Sequence, residues 1–151
     1  MKKILIGIDP DINLNGFSVL YKDPECGDNM SIDKKTFFQI FDFLGQFRKN
    51  KESYHDYKIT VFIEAGWLNK KSNWHVSGKG ENVSSRVGSK VGANHQVGKL
   101  IVEMCEYLGL EYELCRPVSS KIGIRQFRMM SKYKGKLNQD MVDSAMLVYG
   151  R

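Results

Sequence analysis

Hydrophobic and polar positions along the chain alternate between strand-like and helix-like patterns. From Lys3 to Asp9 an Ile- and Leu-rich run predicts a buried strand. Asp9-Pro10-Asp11 and Asn13-Leu14-Asn15-Gly16 carry turn chemistry, and Phe17–Tyr21 predicts a second strand, so the first segment reads as a hairpin with a long turn. The residues from Asp23 to Asn29 form another turn signal, followed by a short third strand near Met30–Lys35. Thr36 is a candidate N-cap for a helix to about Lys49, in which Phe37, Ile40, Phe41, Leu44 and Phe47 recur at helical spacing and predict a core-facing stripe. Tyr57–Glu64 is the clearest strand, β-branched and closed by a carboxylate. Ala65 to Gly92 reads as a long irregular connection, the kind that is functional or disordered in a compact domain. A helix is predicted from Ala93 or Asn94 to Leu108, with Gly109 as its stop, then a strand over Leu110–Cys115 halted by Arg116-Pro117. Val118–Tyr133 is mixed and partly helical, and Asn138 caps a last helix over Gln139–Tyr149.

The order β-β-β-α-β-α-β-α predicts one α/β domain over residues 1–151, a mixed sheet with helices on its faces. Composition agrees. Hydrophobic residues make up 42% and charged residues 26% of the 151, which places the chain among globular proteins able to bury a core and not among disordered ones. No apolar run approaches the roughly 18 residues of a membrane span. The opening Ile4–Ile8 run is ended by Asp9, too soon for the roughly 7–15 apolar residues of a signal peptide. Cys26, Cys105 and Cys115 share no metal spacing and read as free thiols of a reducing, cytoplasmic setting.

Charge changes the picture more. The net charge is +6, and it is unevenly spread. Residues 67–100 carry +5 and residues 116–136 carry +7, with no acidic side chain in the second stretch. Two basic segments that contain Gly and Ser, one of them with interleaved aromatics, are the footprint of a face that binds a polyanion. The plainer reading is two solvated loops.

Four carboxylates offer chemistry. Asp9 ends the first predicted strand and Glu64 the fourth. Asp140 and Asp143 lie three apart in the last helix and so share a face. Ligands gather at strand ends in α/β sheets. If the first and fourth strands are neighbours, Asp9 and Glu64 stand side by side, and a final helix packed there adds the other two. Carboxylates so close raise each other's pKa unless a cation compensates, and an oxygen-only set suits Mg²⁺ or Mn²⁺. Two such ions can hold the attacking water and the leaving oxygen of a phosphodiester hydrolysis. Each residue alone has an ordinary explanation: a turn Asp before Pro, a strand-ending Glu, a solvated or N-terminal pair on a short helix.

These residues carry a resemblance. Ile6-Gly7-Ile8-Asp9-Pro10 with Gly16, Val61-Phe62-Ile63-Glu64 with Trp67, Gly92 to Gly98, Leu114-Cys115-Arg116-Pro117-Val118 through Lys121 and Gly123, and Asp140-x-x-Asp143-Ser144-Ala145 resemble, in order, the motifs of RuvC-type Holliday junction resolvases. The resemblance implies the RNase H-like fold, a five-stranded mixed sheet with helices on both faces, in a symmetric homodimer that resolves four-way or otherwise branched DNA. It implies Asp9, Glu64, Asp140 and Asp143 as catalytic metal ligands for Mg²⁺ (or Mn²⁺), two ions per site. It makes Trp67 a candidate to stack on an exposed base and Lys121 a candidate phosphate contact. The chain departs from the pattern in its longer Lys70–Gly92 segment, in Asn94-His95, and in ending soon after the last Asp pair, which suits a divergent phage or mobile-element relative better than the cellular bacterial enzyme.

The two basic segments add Lys70, Lys71, Arg86, Lys90, Arg116, Arg125, Lys132 and Lys134 as candidate nucleic-acid contacts. His95, expected near the start of the central helix, is a possible auxiliary group; His75 and Trp74 belong to the connecting loop. Ser84-Ser85 and Ser119-Ser120 come with no base or oxyanion pattern and suggest no nucleophile. Met129-Met130 reads as packing. Rival functions are an RNase H-like nuclease acting on RNA or an RNA–DNA hybrid, and a catalytically inactive nucleic-acid-binding protein. A phosphate-binding ATPase of the actin type would fit Gly7-Ile8-Asp9 with Gly16, but it needs two such domains.

Overall fold

The computed structural model describes residues 1–69 and 81–151. Among these, five strands and four α-helices build a mixed α/β structure. The strands are β1 (Lys2–Asp9), β2 (Asn15–Asp23), β3 (Gly27–Lys35), β4 (Tyr57–Glu64) and β5 (Glu111–Cys115). The helices are α1 (Phe37–Lys49), α2 (Glu81–Leu108), α3 (Ile124–Ser131) and α4 (Gln139–Met146). The sheet order is β3-β2-β1-β4-β5. β1 pairs antiparallel with β2 and parallel with β4, β2 pairs antiparallel with β3, and β4 pairs parallel with β5. This is the predicted mixed sheet, and β1 lies at its centre because its Ile-rich run has apolar layers on both sides.

One layer packs Ile4, Ile6, Ile8, Phe17, Val19, Val61 and Ile63 against Ile40, Leu44 and Phe47 of α1 and Ile101, Met104, Cys105 and Leu108 of α2. On the other side Leu5, Leu20 and Phe62 meet Val148, and Ile32 meets Phe127 of α3 with Val142 and Ala145 of α4. Successive strand residues point to opposite faces, so both alternating sets on β1 are buried. Helices therefore cover both faces, as expected. All three cysteines are free. Among the described residues no helix is long and apolar enough to cross a membrane.

Several boundaries differ from the sequence expectation. α2 starts at Glu81, so residues 81–92 of the stretch read as an irregular connection are helical, and His95 lies in mid-helix, not near its start. β2 begins at Asn15, so Asn15 and Gly16, read as turn residues, pair in the sheet instead, and the tight hairpin after Asp23, with Gly27 at φ +84°, lengthens β2 and β3 at that end. Phe41 does not join the core stripe of α1; it is exposed, while Ile40, Leu44 and Phe47 are buried. α3 ends at Ser131, where Lys132 adopts a left-handed conformation, so only part of the Val118–Tyr133 stretch is helical. α4 stops at Met146, short of Tyr149. Lys70, Lys71, Trp74 and His75 lie outside the described residues.

Candidate active site

The register places one residue of every strand in a row at the same end of the sheet. Asp9 faces Gly16, Gly16 faces Lys34, and Glu64 faces Cys115. The parallel pairing of Ile8 with Ile63 brings the next residues, Asp9 and Glu64, side by side. The row thus runs Lys34, Gly16, Asp9, Glu64, Cys115, and period-two alternation turns these side chains to the α4 face.

α4 reaches that row because the strands beneath it carry no bulk. A Cβ on Gly16 would lie 2.1 Å from the Asp140 carbonyl oxygen, and a Cβ on Gly7 would lie 2.1 Å from that of Ser144. The buried Ser18 hydroxyl donates to the Ser144 carbonyl at 2.8 Å, a hydrogen bond from sheet to helix backbone. Asn138 caps the helix by accepting from the Met141 N–H at 3.0 Å. Two glycines, a serine and a cap therefore set Asp140 and Asp143 beside the strand ends.

The two aspartates take different partners. Asp143 is buried; one oxygen accepts from Gln139 Nε2 at 2.8 Å and the other is paired with the Lys121 ammonium. Lys121 also lies 3.8 Å from Glu64 Oε1, so it stands between Glu64 and Asp143. Gln139 is held in turn by donating to the Ile122 carbonyl at 3.0 Å. Asp140 instead accepts from Lys34 of β3 at 2.7 Å.

The electrostatics show a site short of positive charge. Burial and the charge of Glu64 push the Asp9 carboxyl up to about 8, with Asp143 and Asp140 adding and Lys121 opposing. Burial, aided by Asp143, also raises Glu64 against the pull of Lys121. Lys121 loses by desolvation but is held above the usual lysine value by its bond to Asp143 and the charge of Glu64. The other three predicted carboxylates are thus all within electrostatic reach of Asp9, and Asp143 also acts on Glu64. No three of the four, and no other group of three or more His, Cys, Asp or Glu among the described residues, form a ready metal cage. The donor chemistry nevertheless fits a hard divalent cation: every donor is a carboxylate oxygen, and Asp9 is held protonated to a pH where an isolated carboxyl would be ionised.

The turn after β1 is fastened to α2. Asn94 accepts from the Ile12 N–H at 3.0 Å and donates to Asp11 Oδ2 at 3.3 Å. Burial opposes ionisation of Asp11, but N–H groups of Asn13 and Leu14 together with Asn94 hold its carboxyl below the usual range. Trp67 is half-buried on α2. A Cβ on Gly98 would lie 2.5 Å from its ring, and the indole meets His95 edge-on with centroids 6.2 Å apart. His95 is half-buried against Gly66, whose Cβ would lie 2.6 Å from its Nε2. Arg86 and Lys90 are exposed on α2; Arg116, Lys121, Arg125, Lys132 and Lys134 are exposed in and around α3. α2, which carries Arg86 and Lys90, packs on one face of the sheet, and α3, which carries Arg125, packs on the other. Lys90 acts on Asp11 just past Asp9, and Lys121 reaches the carboxylates themselves.

Sequence reasoning missed Lys34, Gln139, Asn94 and Asp11. Lys34 joins the site only through the register of β3 on Gly16, which no local pattern gives. Gln139 stands four residues before Asp143, on the same helix face.

No protein-family model matches the chain, and no curated protein matches it. Solved structures do. "T. thermophilus RuvC in complex with Holliday junction substrate" superposes with a TM-score of 0.52 over 95% of this chain and 89% of that one, at 12% identity. The fold is that of RuvC. The "Thermus thermophilus RuvC structure" aligns over 95% of this chain and 90% of that one, with 11% identity and a TM-score of 0.45. The likeness to RuvC at this identity is one of architecture: the RNase H-like arrangement expected from the sequence.

Proposed function

We propose that this chain is a divalent-cation-dependent endonuclease that resolves Holliday junctions or other branched DNA by phosphodiester hydrolysis, acting as a symmetric homodimer. The observation that carries the reading is the convergence of Asp9, Glu64 and Asp143 on one sheet end, with Asp140 one helical turn away, in a fold shared with a RuvC bound to a junction substrate. Basic side chains on both flanks of that end support a nucleic-acid substrate.

Asp9, Glu64, Asp143 and Asp140 would hold Mg²⁺ or Mn²⁺, two ions per site. Bound there, the cations supply Lewis-acid stabilisation of the phosphate and an activated water. The residues of the chain do the rest. Gln139 fixes the orientation of Asp143, and Ser18 with Gly7 and Gly16 fixes the helix that carries both aspartates. Before a cation binds, Lys121 supplies positive charge beside Glu64 and Asp143. Lys90, Arg116 and Arg125 offer contacts for phosphates on the two sides. Trp67 presents the exposed part of its ring to an unpaired base. A homodimer would place two such sites for paired incision, as two-fold symmetry requires.

The test is cleavage of labelled four-way junction, Y-fork, duplex and RNA–DNA hybrid with Mg²⁺ or EDTA, beside Asp143→Asn. Paired nicks on the junction are expected, abolished by EDTA and reduced on the order of a hundredfold or more by Asp143→Asn. Cutting of the hybrid alone would move the protein to RNA metabolism. Tight junction binding without cutting in Mg²⁺ or Mn²⁺ would make it a binding protein.

A further inference from the structure

Two ammonium groups are built into the carboxylate site from opposite sides. Lys34 arrives from β3, across Gly16 from Asp9, and takes Asp140 at 2.7 Å. Lys121 arrives from the segment between β5 and α3 and takes Asp143, with Glu64 3.8 Å away. They take one oxygen each of Asp140 and Asp143, two of the carboxylates that would hold a divalent cation. They are also well placed to leave: the side chains of Lys34 and Lys121 keep 26% and 42% of their surface in contact with solvent. A lysine is a compact charge on a flexible stem, able to swing from one anion to another, unlike a bidentate arginine.

We propose that Lys34 and Lys121 are exchangeable counter-ions of this site, displaced when a divalent cation binds and thereby released to contact the phosphates of the substrate. The inference rests on the reading of the carboxylates as a cation site. It adds a device: one set of carboxylates holds either lysines or metal, so the lysines are masked in the cation-free protein and become phosphate ligands only when the site is loaded. Lys121 and Lys34 compete with the cation through different carboxylates, so removing either one is expected to tighten cation binding. Loading with cation and binding of a polyanion then strengthen one another, since each takes a partner that the other leaves behind.

The experiment is a calorimetric titration of the full chain with Mn²⁺ alone at pH 8.5, comparing wild type, Lys34→Met, Lys121→Met and the control Lys58→Met. Lys58 removes the same charge but pairs with Glu111 on β5. Circular dichroism verifies that each variant is folded, and Lys34→Gln and Lys121→Gln replace any that is not. Exchange predicts Mn²⁺ binding about tenfold tighter in the Lys34 and Lys121 variants and within about twofold of wild type in the control. Unchanged or weaker binding in both site variants, with wild type binding Mn²⁺, overturns the exchange and leaves the lysines as fixed props. Absence of Mn²⁺ binding in every folded protein overturns the cation-site reading itself. A second readout uses fluorescence anisotropy of a labelled four-way junction with and without Ca²⁺. The gain in affinity on adding Ca²⁺ should be several-fold in wild type and should shrink in Lys121→Met; an equal gain in both would also overturn the proposal.

Discussion

Gly16 shows how much a single residue can decide. Its missing side chain lets the first turn of α4 rest on β2, with the Asp140 carbonyl where a Cβ would be. Gly16→Ala is expected to push α4 off the sheet and destabilise the protein by about 1–3 kcal/mol, seen as a lower melting temperature with cation affinity lost in parallel. An unchanged melting temperature would mean that α4 is not seated as described. Asp9 makes a pH prediction. Its carboxyl rises from 3.8 to about 8 in the folded chain, chiefly by burial and by Glu64. The folded state therefore binds a proton that the unfolded state releases, and stability falls as pH rises between those two values. In EDTA the melting temperature should drop by several degrees from about pH 5 to pH 8.5, and Asp9→Asn should flatten the slope. An identical slope in the variant would show that the carboxyl is not held protonated. Asp9 and Glu64 could be read from the sequence because a strand-ending carboxylate after an apolar run is a local pattern. Lys34 could not, because its partner is 106 residues away in sequence and the pair exists only once β3 is registered on β2.

At the scale of elements, capping chemistry was legible and helix extent was not. Thr36 with Gln39 forms a reciprocal capping box at α1, and Asn138 caps α4, both at the predicted positions. The early start of α2 was hidden by its composition: residues 81–92 are rich in Ser, Gly and Val, which have poor intrinsic helix propensity, so sequence preference and structure disagree there. Phe41 fits the apolar period of α1 but falls on the solvent edge, because the stripe facing the sheet is narrower than the period suggests. The caps give a prediction of their own. Asn138→Ala removes the acceptor for the Met141 N–H and is expected to cost about 1 kcal/mol, roughly 2–4 °C in melting temperature for a chain of this size. Because α4 carries Asp140 in its first turn and Asp143 in its second, Mn²⁺ affinity should fall as well. Thr36→Ala, at the start of a helix that holds none of the carboxylates, should lower stability by a similar amount and leave Mn²⁺ affinity unchanged. Equal effects of the two variants on Mn²⁺ would separate the helix cap from the site.

For the whole molecule, the sheet divides the positive charge into two banks around one acidic end. α2, on one face, carries Arg86 and Lys90, α3, on the other, carries Arg125, and Arg116, Lys132 and Lys134 are exposed in the stretches flanking α3. A duplex or junction arm seated on the strand ends would meet both banks, whereas a purely soluble surface would have no reason to place them on either side of the same carboxylates. Under the proposed function, counter-ion release is expected to make affinity for a four-way junction fall steeply with salt, with a log–log slope of about −0.9 for each phosphate neutralised on duplex DNA. Each lysine or arginine that contacts a phosphate should flatten the slope by about one when neutralised, and should weaken binding evenly across sequences. Arg125→Ala and Lys132→Ala are expected to do this. Lys51→Ala, at the far end of the molecule in the turn after α1, should leave the slope as it is. The measurement is anisotropy of a labelled junction in Ca²⁺ over a range of salt. A slope that ignores Arg125 and Lys132 but answers to Lys51 would put the DNA on the opposite end of the sheet, away from the carboxylates, and the nuclease reading would lose its substrate geometry.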